Sequence, residues 1–300
     1  MLLCQGAVVL CSLSVQPNSP IKSIEELLQI ASDHAPYFDQ AHLAYDFQLE
    51  KAGSDVKLSS VVLSTDCTFW RKSDKYRRDL VQKGESDTGV PKLLKYGAIY
   101  DAQHLHTLNH SAKSYVVRTT DSPEKVATLG DAFLDFHLRN TGLEENAGGL
   151  TGQSILSLLS TPSIIVRSEL EMIENRACHV IDIPAKGGLL QGSVWLDAER
   201  GCLPMRQDFL GAIDATGNQE VFLRFEVTKV YDASGSWMIQ EGLKIVDPAT
   251  TKEKQYRYVL DLAMVEPTMG KPIDDAVFVP DVPSGYLCKD IALDKSWVQP

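Results

Sequence analysis

Residues 192–210 read GSVWLDAERGCLPMRQDFL. An apolar run carrying Trp195 stops at Asp197, Ala198-Glu199-Arg200-Gly201 follow, and an apolar run resumes behind Cys202 and Pro204. Two strand-forming runs around an Asp/Gly cluster predict an antiparallel hairpin that turns between Asp197 and Gly201. The pattern repeats on both sides. SIIVRSELEMIE and RACHVIDIP precede it, and VFLRFEVTKVYD, WMIQEGLKIVD and KQYRYVLDLAMVE follow it. Short polar turns separate these runs at Glu174-Asn175-Arg176 and at Asp232 to Gly235. In the last run Tyr256, Tyr258, Leu260, Leu262 and Met264 alternate with Gln255, Arg257 and Asp261. Period two is the mark of a strand with one dry face.

The first half has the same structure in its sequence. Ser23 with Glu26 three residues on forms a capping box, and Ile24, Leu27, Leu28 and Ala31 share a helical face that Pro36 ends. In HLAYDFQLE, Leu43, Tyr45, Phe47 and Leu49 alternate with polar neighbours. VKLSSVVLSTDCTFW, KYRRDLVQKG, LLKYGAIYDAQHLHTLN and SYVVRTT supply further strands, with a turn at Lys72-Ser73-Asp74. The middle breaks the series. Ser122-Pro123-Glu124 opens a helix with an apolar stripe of Val126, Leu129, Phe133 and Phe136, ending at Gly142, and a second helical stretch covers Gln153 to Leu159. The glycine-rich EENAGGLTG between them lacks the Gly-Lys-Ser/Thr of a phosphate cradle. No linker or composition break appears. The expectation is a single domain over 21–300, α+β and mainly β, built as one long antiparallel sheet with helices on one face.

Composition narrows the function. The chain has 300 residues, 44% of them hydrophobic, and a formal net charge of −11. That charge argues against nucleic acid as a partner, because phosphate contacts need clustered cations. Arg71, Lys72, Lys75, Arg77 and Arg78 do cluster, but with Asp74 and Asp79 among them they read as a solvated strand-turn face. Residues 1–20, MLLCQGAVVLCSLSVQPNSP, resemble the apolar region of a signal peptide, although no Lys or Arg precedes it. Cys11 offers a site for a lipid anchor, although Leu10 stands where a small residue is usual. Beyond Pro20 no apolar run is long enough to span a bilayer, so a periplasmic or secreted chain is expected. Cys67, Cys178, Cys202 and Cys288 lie outside the leader, and none has CxxC spacing, which disfavours a zinc or thioredoxin-type site. An even number permits disulfides, with Cys178–Cys202 the first pair to test, and buried thiols are the alternative.

The quoted hairpin resembles the W-I-D-P-x-T-G-L-P segment of the LolA/LolB-like lipoprotein-carrier superfamily, with Ala198 in place of the usual proline. Other motifs agree in order. Phe69-Trp70-Arg71 through Tyr76-Arg77-Arg78, then Ile99-Tyr100-Asp101-Ala102 with Tyr115-Val116-Val117, match successive strand pairs. Pro272-Ile273-Asp274-Asp275, Phe278 and Pro283-Ser284-Gly285 match the close. The resemblance covers most of residues 23 to 290 and is nearest to the larger bacterial members of that superfamily. It implies an open half-barrel of antiparallel strands with helices plugging an apolar concave side that holds acyl chains or a lipidated partner. Tyr45, Phe47, Phe69, Tyr76, Tyr256, Tyr258 and Leu260 are then the candidate wall, with an ordinary packed core as the alternative. Adjacent strand residues face opposite ways. Of Arg77 and Arg78, the resemblance assigns Arg78 to hydrogen bonding on the concave side, against a surface ion pair with Asp74 or Asp79.

Catalytic signals are weak, and no cofactor is expected. His104 and His106 share a strand face and are the sharpest rival, as ligands of a metal-dependent enzyme. No acid at strand spacing completes a set, so exposed strand histidines with no metal is the expectation. There is no GxSxG, Cys178 and His179 face opposite ways, and the acid pairs Glu144-Glu145 and Asp274-Asp275 fall in loops. The function expected is an exported, non-enzymatic protein binding a lipid or lipoprotein acyl chain. The alternative is an envelope stress-sensing or protein-interaction module of the same fold.

Overall fold

The structure, a computed structural model, describes residues 22–34, 39–54, 62–85, 90–119, 154–184, 190–213, 219–233, 236–248, 250–262 and 268–300. The leader, the helix expected over 122–142 and the glycine-rich loop after it lie outside the described residues. Helix α1 spans Ile24–His34, and its capping box forms as read: Ser23 N–H donates to Glu26 Oε2 at 2.7 Å and Glu26 N–H to Ser23 Oγ at 3.3 Å. Leu27 and Ala31 are its buried face. A second helix, α2 (Ile155–Leu159), is a single turn capped by Ser154.

The rest is strand. β1 (Gln40–Ala52), β2 (Val62–Lys72), β3 (Lys75–Glu85), β4 (Pro91–Tyr100), β5 (His104–Asn109) and β6 (Ser114–Thr119) form one meander. β7 (Ile165–Val166), β8 (Glu171–Ile173), β9 (Arg176–Pro184), β10 (Leu190–Asp197), β11 (Leu203–Ile213), β12 (Gln219–Ala233), β13 (Ser236–Val246) and β14 (Lys254–Leu260) follow the helices. β15 (Thr268–Met269), β16 (Leu287–Asp290) and β17 (Lys295–Val298) complete the chain. The two halves join where β14 pairs antiparallel with β1, Tyr45 opposite Leu260 and Phe47 opposite Tyr258. β6 then takes β16 as a parallel neighbour, and β17 closes that edge by a hairpin. The order across the sheet is β9-β10-β11-β12-β13-β14-β1-β2-β3-β4-β5-β6-β16-β17. The sheet is open, since no pairing among the described residues joins β9 to β17. This is the architecture that the sequence resemblance implies.

The turns follow from residue chemistry. Glu174 and Asn175 both take left-handed backbone, at φ of 47° and 60°, as a two-residue hairpin requires. In the opening hairpin Asp197 accepts from Glu199 N–H at 3.0 Å and caps a 3₁₀ turn over Ala198–Arg200. Ala198 takes the first helical position, where proline's missing N–H costs nothing, so Ala and Pro are interchangeable there. Gly201 ends the turn at φ 67°, and the His34 ring lies 2.6 Å from where a Cβ would stand, so this position needs glycine on two counts. Register shifts interrupt the ladder near Leu49, Trp195, Phe209 and Val227. Such bulges bend and twist a sheet.

One face runs unbroken through this ladder. Direct partners step from Val194 to Gln207, Phe225, Lys244, Tyr256 and Leu49. Toward β9–β11 the two helices cover it, Leu27, Ala31, Ile155 and Leu158 packing with Ile181, Val194, Leu196 and Phe209. Further along it carries Leu43, Tyr45, Phe69, Phe225, Tyr258 and Leu260 in one apolar cluster. The C-terminal segment covers the other face at β4–β6, where Phe278, Tyr286 and Cys288 pack on Ile99, Leu108 and Tyr115.

Two expectations change here. The four cysteines are free and buried: Cys202 Sγ faces Leu27 O at 3.5 Å, whereas Cys178 Sγ faces Arg176 O at 3.7 Å. They belong to different clusters, so the Cys178–Cys202 pair does not form. The alternation after Leu260 also stops. Asp261 N–H donates to Ala44 O, the chain turns away, and Leu262 is exposed, while Met264 lies outside the described residues.

Candidate functional site

Two arrangements stand out, one on each face of the sheet. The first is the inner face at β14, β1, β2 and β3. All eight residues singled out in the sequence lie on it. Tyr45, Phe69, Tyr76, Arg78, Tyr258 and Leu260 are buried, and Phe47 and Tyr256 are half-buried beside them. The β14–β1 contact brings residues more than two hundred positions apart together. Phe47 stacks on Tyr258 with ring centres 4.9 Å apart, Tyr45 lies 6.3 Å from Tyr258, and Phe225 meets Tyr258 edge-on at 5.7 Å. Sequence reading missed Phe225 and Val227, although their i, i+2 spacing in VFLRFEVTKV marks them as one face. Burial pushes the Tyr256 phenol above its ordinary value.

Polar groups interrupt this wall. Thr65, directly opposite Phe47, is 0% exposed, and its Oγ1 has no hydrogen-bond partner among the described residues. Gln207 and Arg78 are buried on the same face. Arg77 and Arg78 divide as alternation requires. Arg78 points inward opposite Phe69, whereas Arg77 points outward, bonds Asp79 at 3.0 Å and Val277 O at 3.0 Å, and lies 5.4 Å from the Trp70 ring. The surface ion pair therefore belongs to Arg77. The solvated basic face is corrected for Arg78, which is buried, while Lys72 and Lys75 reach Asp275 at 2.9 Å each.

The second arrangement is on the outer face, where His106, Ile99, Arg77 and Trp70 are consecutive partners. His106 is buried, not exposed as expected, and both ring nitrogens are engaged. Nδ1 lies 2.7 Å from Tyr115 Oη and Nε2 lies 2.9 Å from Asp101 Oδ2. A neutral ring satisfies both when the phenol donates to Nδ1 and Nε2–H donates to the carboxylate. Asp101 sits in the β4–β5 turn, and its Oδ1 accepts from the N–H groups of Gln103 and His104 at 2.9 and 2.8 Å. Burial opposes ionisation there, but those donors and His106 outweigh it and hold the carboxyl below its ordinary value. Burial lifts the Tyr115 phenol to about 12. His104 lies beside them, its ring 6.2 Å from that of His106 and its Nδ1 3.9 Å from Asp101 Oδ1. Strand alternation alone finds His104 and His106. Asp101 joins them because the turn bends it back, and the Asp-x-x-His spacing of an Asx-type turn is the local signal for that.

The opening hairpin carries a third, structural network. Trp195 Nε1 donates to Glu171 Oε2 at 2.9 Å, and the Arg206 guanidinium lies 4.6 Å from its ring. Fully buried Asp197 accepts from Arg176 Nε at 3.0 Å, and Arg200 rests 4.2 Å from the Trp237 ring. These contacts tie the hairpin's residues to β8, β9, β11 and β13 of the same sheet.

No family model matches the chain, and no curated protein does. Solved structures do. The chain is similar to a DUF1329 family protein from Desulfovibrio piger, with a TM-score of 0.50 and 13% identity over 86% of this chain and 98% of that one. A LolA superfamily protein from Nitrosomonas europaea aligns with a TM-score of 0.44 and 11% identity, over 87% of this chain and 99% of its own. MucB, solved in complex with MucA(peri), aligns with a TM-score of 0.24 and 10% identity, over 79% and 92%. At 13% identity the first likeness speaks to the fold alone.

Proposed function

We propose that this chain is an exported, non-enzymatic protein whose single domain over 21–300 holds an acyl chain of a lipid or lipoprotein against the inner face of its sheet. The observation that carries the reading is the continuous aromatic and aliphatic face that is buried at Phe225, Tyr258, Tyr45, Phe69 and Tyr76 and only half-buried at Phe47 and Tyr256, where an acyl chain would meet it. Burying an acyl chain contributes about 0.8 kcal/mol per methylene, so shape and apolar area suffice and no acid–base group is needed. Thr65 Oγ1 supports a ligand with a polar group at one end, because a buried hydroxyl without a partner costs free energy that an acyl ester or carboxylate recovers. Arg78, opposite Phe69, which lies four residues along β2 from Thr65, adds a second buried polar side chain to the same face. No described helix is long and apolar enough to cross a membrane, and the leader at 1–20 is the proposed route to the periplasm or the exterior, by cleavage or by lipidation at Cys11.

The test is mass spectrometry of lipids extracted from protein purified out of an envelope fraction, beside displacement of a fluorescent fatty acid. Binding near one equivalent that weakens at least tenfold in Phe47→Glu supports the reading. Absence of both a co-purified amphiphile and probe binding ends it.

One observation favours the protein-interaction alternative. The open edge at β16–β17 exposes Leu287, Ile291, Leu293, Trp297 and Val298 together. Monomeric proteins seldom gather that much apolar surface without a partner. Site-specific cross-linking at 297 that traps an envelope protein, and loses it in Leu293→Asp, would favour this reading over the first.

A further inference from the structure

The outer face carries a group that the acyl reading does not use. We infer that Asp101, His104 and His106 form a binding site for a divalent transition metal of the zinc class. Their donor atoms all lie within 4.8 Å of one another. Bonds of about 2.0–2.2 Å at tetrahedral angles place ligand atoms roughly 3.4 Å apart. Asp101 Oδ2 to His106 Nε2 is 2.9 Å, and Asp101 Oδ1 to His104 Nδ1 is 3.9 Å. These two distances, to different oxygens of Asp101, fall on either side of the required spacing, and one ligand atom from each of the three residues lies within 4.8 Å of the others.

The donor set is also chemically apt. Two imidazoles and a carboxylate suit zinc and its neighbours better than calcium or magnesium, which take oxygen ligands. Three protein ligands leave a fourth position for water, and His104 at 40% side-chain exposure and Asp101 at 33% keep that position in reach of solvent.

The supporting shell is built. Metal-bound histidines donate their second ring N–H to an oxygen that fixes the tautomer. His106 has Tyr115 Oη at 2.7 Å from Nδ1. If the phenol turns to accept from Nδ1–H, the Nε2 lone pair points at the space beside the Asp101 carboxylate. That carboxylate is itself held by the backbone N–H groups of Gln103 and His104. Tyr115 on the neighbouring strand β6 is itself held in the cluster of Phe278 and Tyr286. The site is on the opposite face from Phe69 and Arg78, so it stands or falls independently of the acyl reading.

The experiment is calorimetric titration of Zn²⁺ into the full chain, purified without a histidine tag and stripped with chelator. Visible absorption of the Co²⁺ adduct reports the geometry. One equivalent should bind, with the intense bands of four-coordinate cobalt. His104→Ala and Asp101→Asn should each weaken binding at least tenfold. Tyr115→Phe, which removes the oxygen that orients His106 and touches no metal, should weaken it by about 10–100-fold. The His104 ring is partly exposed, so His104→Ala should melt at the wild-type temperature in chelator, which separates ligation from folding. Zinc binding well below one equivalent overturns the inference, as does binding unchanged in His104→Ala.

Discussion

Gly242→Ala tests how closely the inner face packs around Phe225. Gly242 lies on β13 between Val227 of β12 and Tyr258 of β14. A Cβ built there would stand 2.7 Å from Phe225 Cζ, 3.2 Å from Cε1 and 3.3 Å from Glu226 O. The shortest of these is inside the distance that Cβ contacts keep, so the Phe225 ring must move. The ring is 0% exposed and rests edge-on against Tyr258 at 5.7 Å, which opposes that movement. Overfilling a packed core costs about 1–3 kcal/mol. Alanine restricts the unfolded chain and returns about 0.4–1 kcal/mol. The expected net loss is about 1–2 kcal/mol, read as a lower urea midpoint at unchanged slope and a melting temperature lower by roughly 2–8 °C. Phe225→Leu should be less harmful in the Gly242→Ala background than alone, with a coupling of about 0.5–3 kcal/mol in the double-mutant cycle. A Gly242→Ala midpoint at or above wild type, or zero coupling, would refute the packing argument.

Three further outcomes follow from named contacts. Asp197→Ala should cost about 1–3 kcal/mol in urea unfolding, because it removes the buried carboxylate that Arg176 and Arg200 share, while Arg176 keeps Glu199 at 2.9 Å; an unchanged midpoint would show that the shared carboxylate adds no stability. Stability should fall in acid in two stages. His179 is held below its ordinary value by burial first and then by Lys22, so its unfolded form binds protons more readily; its share is full above about pH 6.5 and is lost as pH falls below that value. At Asp208 burial opposes ionisation, but Arg224 and Arg206 outweigh it and keep its carboxyl below the usual range; its share is full above about pH 4 and is lost as pH falls through the folded value. Urea midpoints from pH 8 to pH 2 should show both limbs, with His179→Gln flattening the upper and Asp208→Asn the lower; a midpoint flat from pH 7 to 5 in wild type would contradict the first. Ser23→Ala should cost about 1 kcal/mol through loss of the reciprocal cap on α1, and an unchanged midpoint would mean the helix adds no stability.

Much of the site and the fold was readable locally. Alternation placed Tyr45, Phe47, Tyr256, Tyr258 and Leu260 on dry faces, and adjacent position alone sent Arg77 and Arg78 to opposite sides. The Cys178–Cys202 pair failed because β10 separates β9, which carries Cys178, from β11, which Cys202 precedes, and the two thiols enter different clusters, a matter of strand order and facing that spacing does not encode. His106 was read as exposed because nothing in HLHTLN says that Phe278 and Tyr286 will cover the strand from a segment more than 160 residues away.

The division has a physical basis. Strands, turns and caps follow from backbone dihedral preference, side-chain period and hydrogen bonds between near neighbours, and all of these are written in stretches of ten residues. Strand order is different. That β14 closes on β1, that β6 takes β16 in parallel, and that Asp101, His106 and Tyr115 meet behind a C-terminal cover depends on which distant faces lose the most water together. The sequence alone determined that this chain would be a long antiparallel sheet with an apolar side; only tertiary packing decided which residues share that side and what the other side could hold.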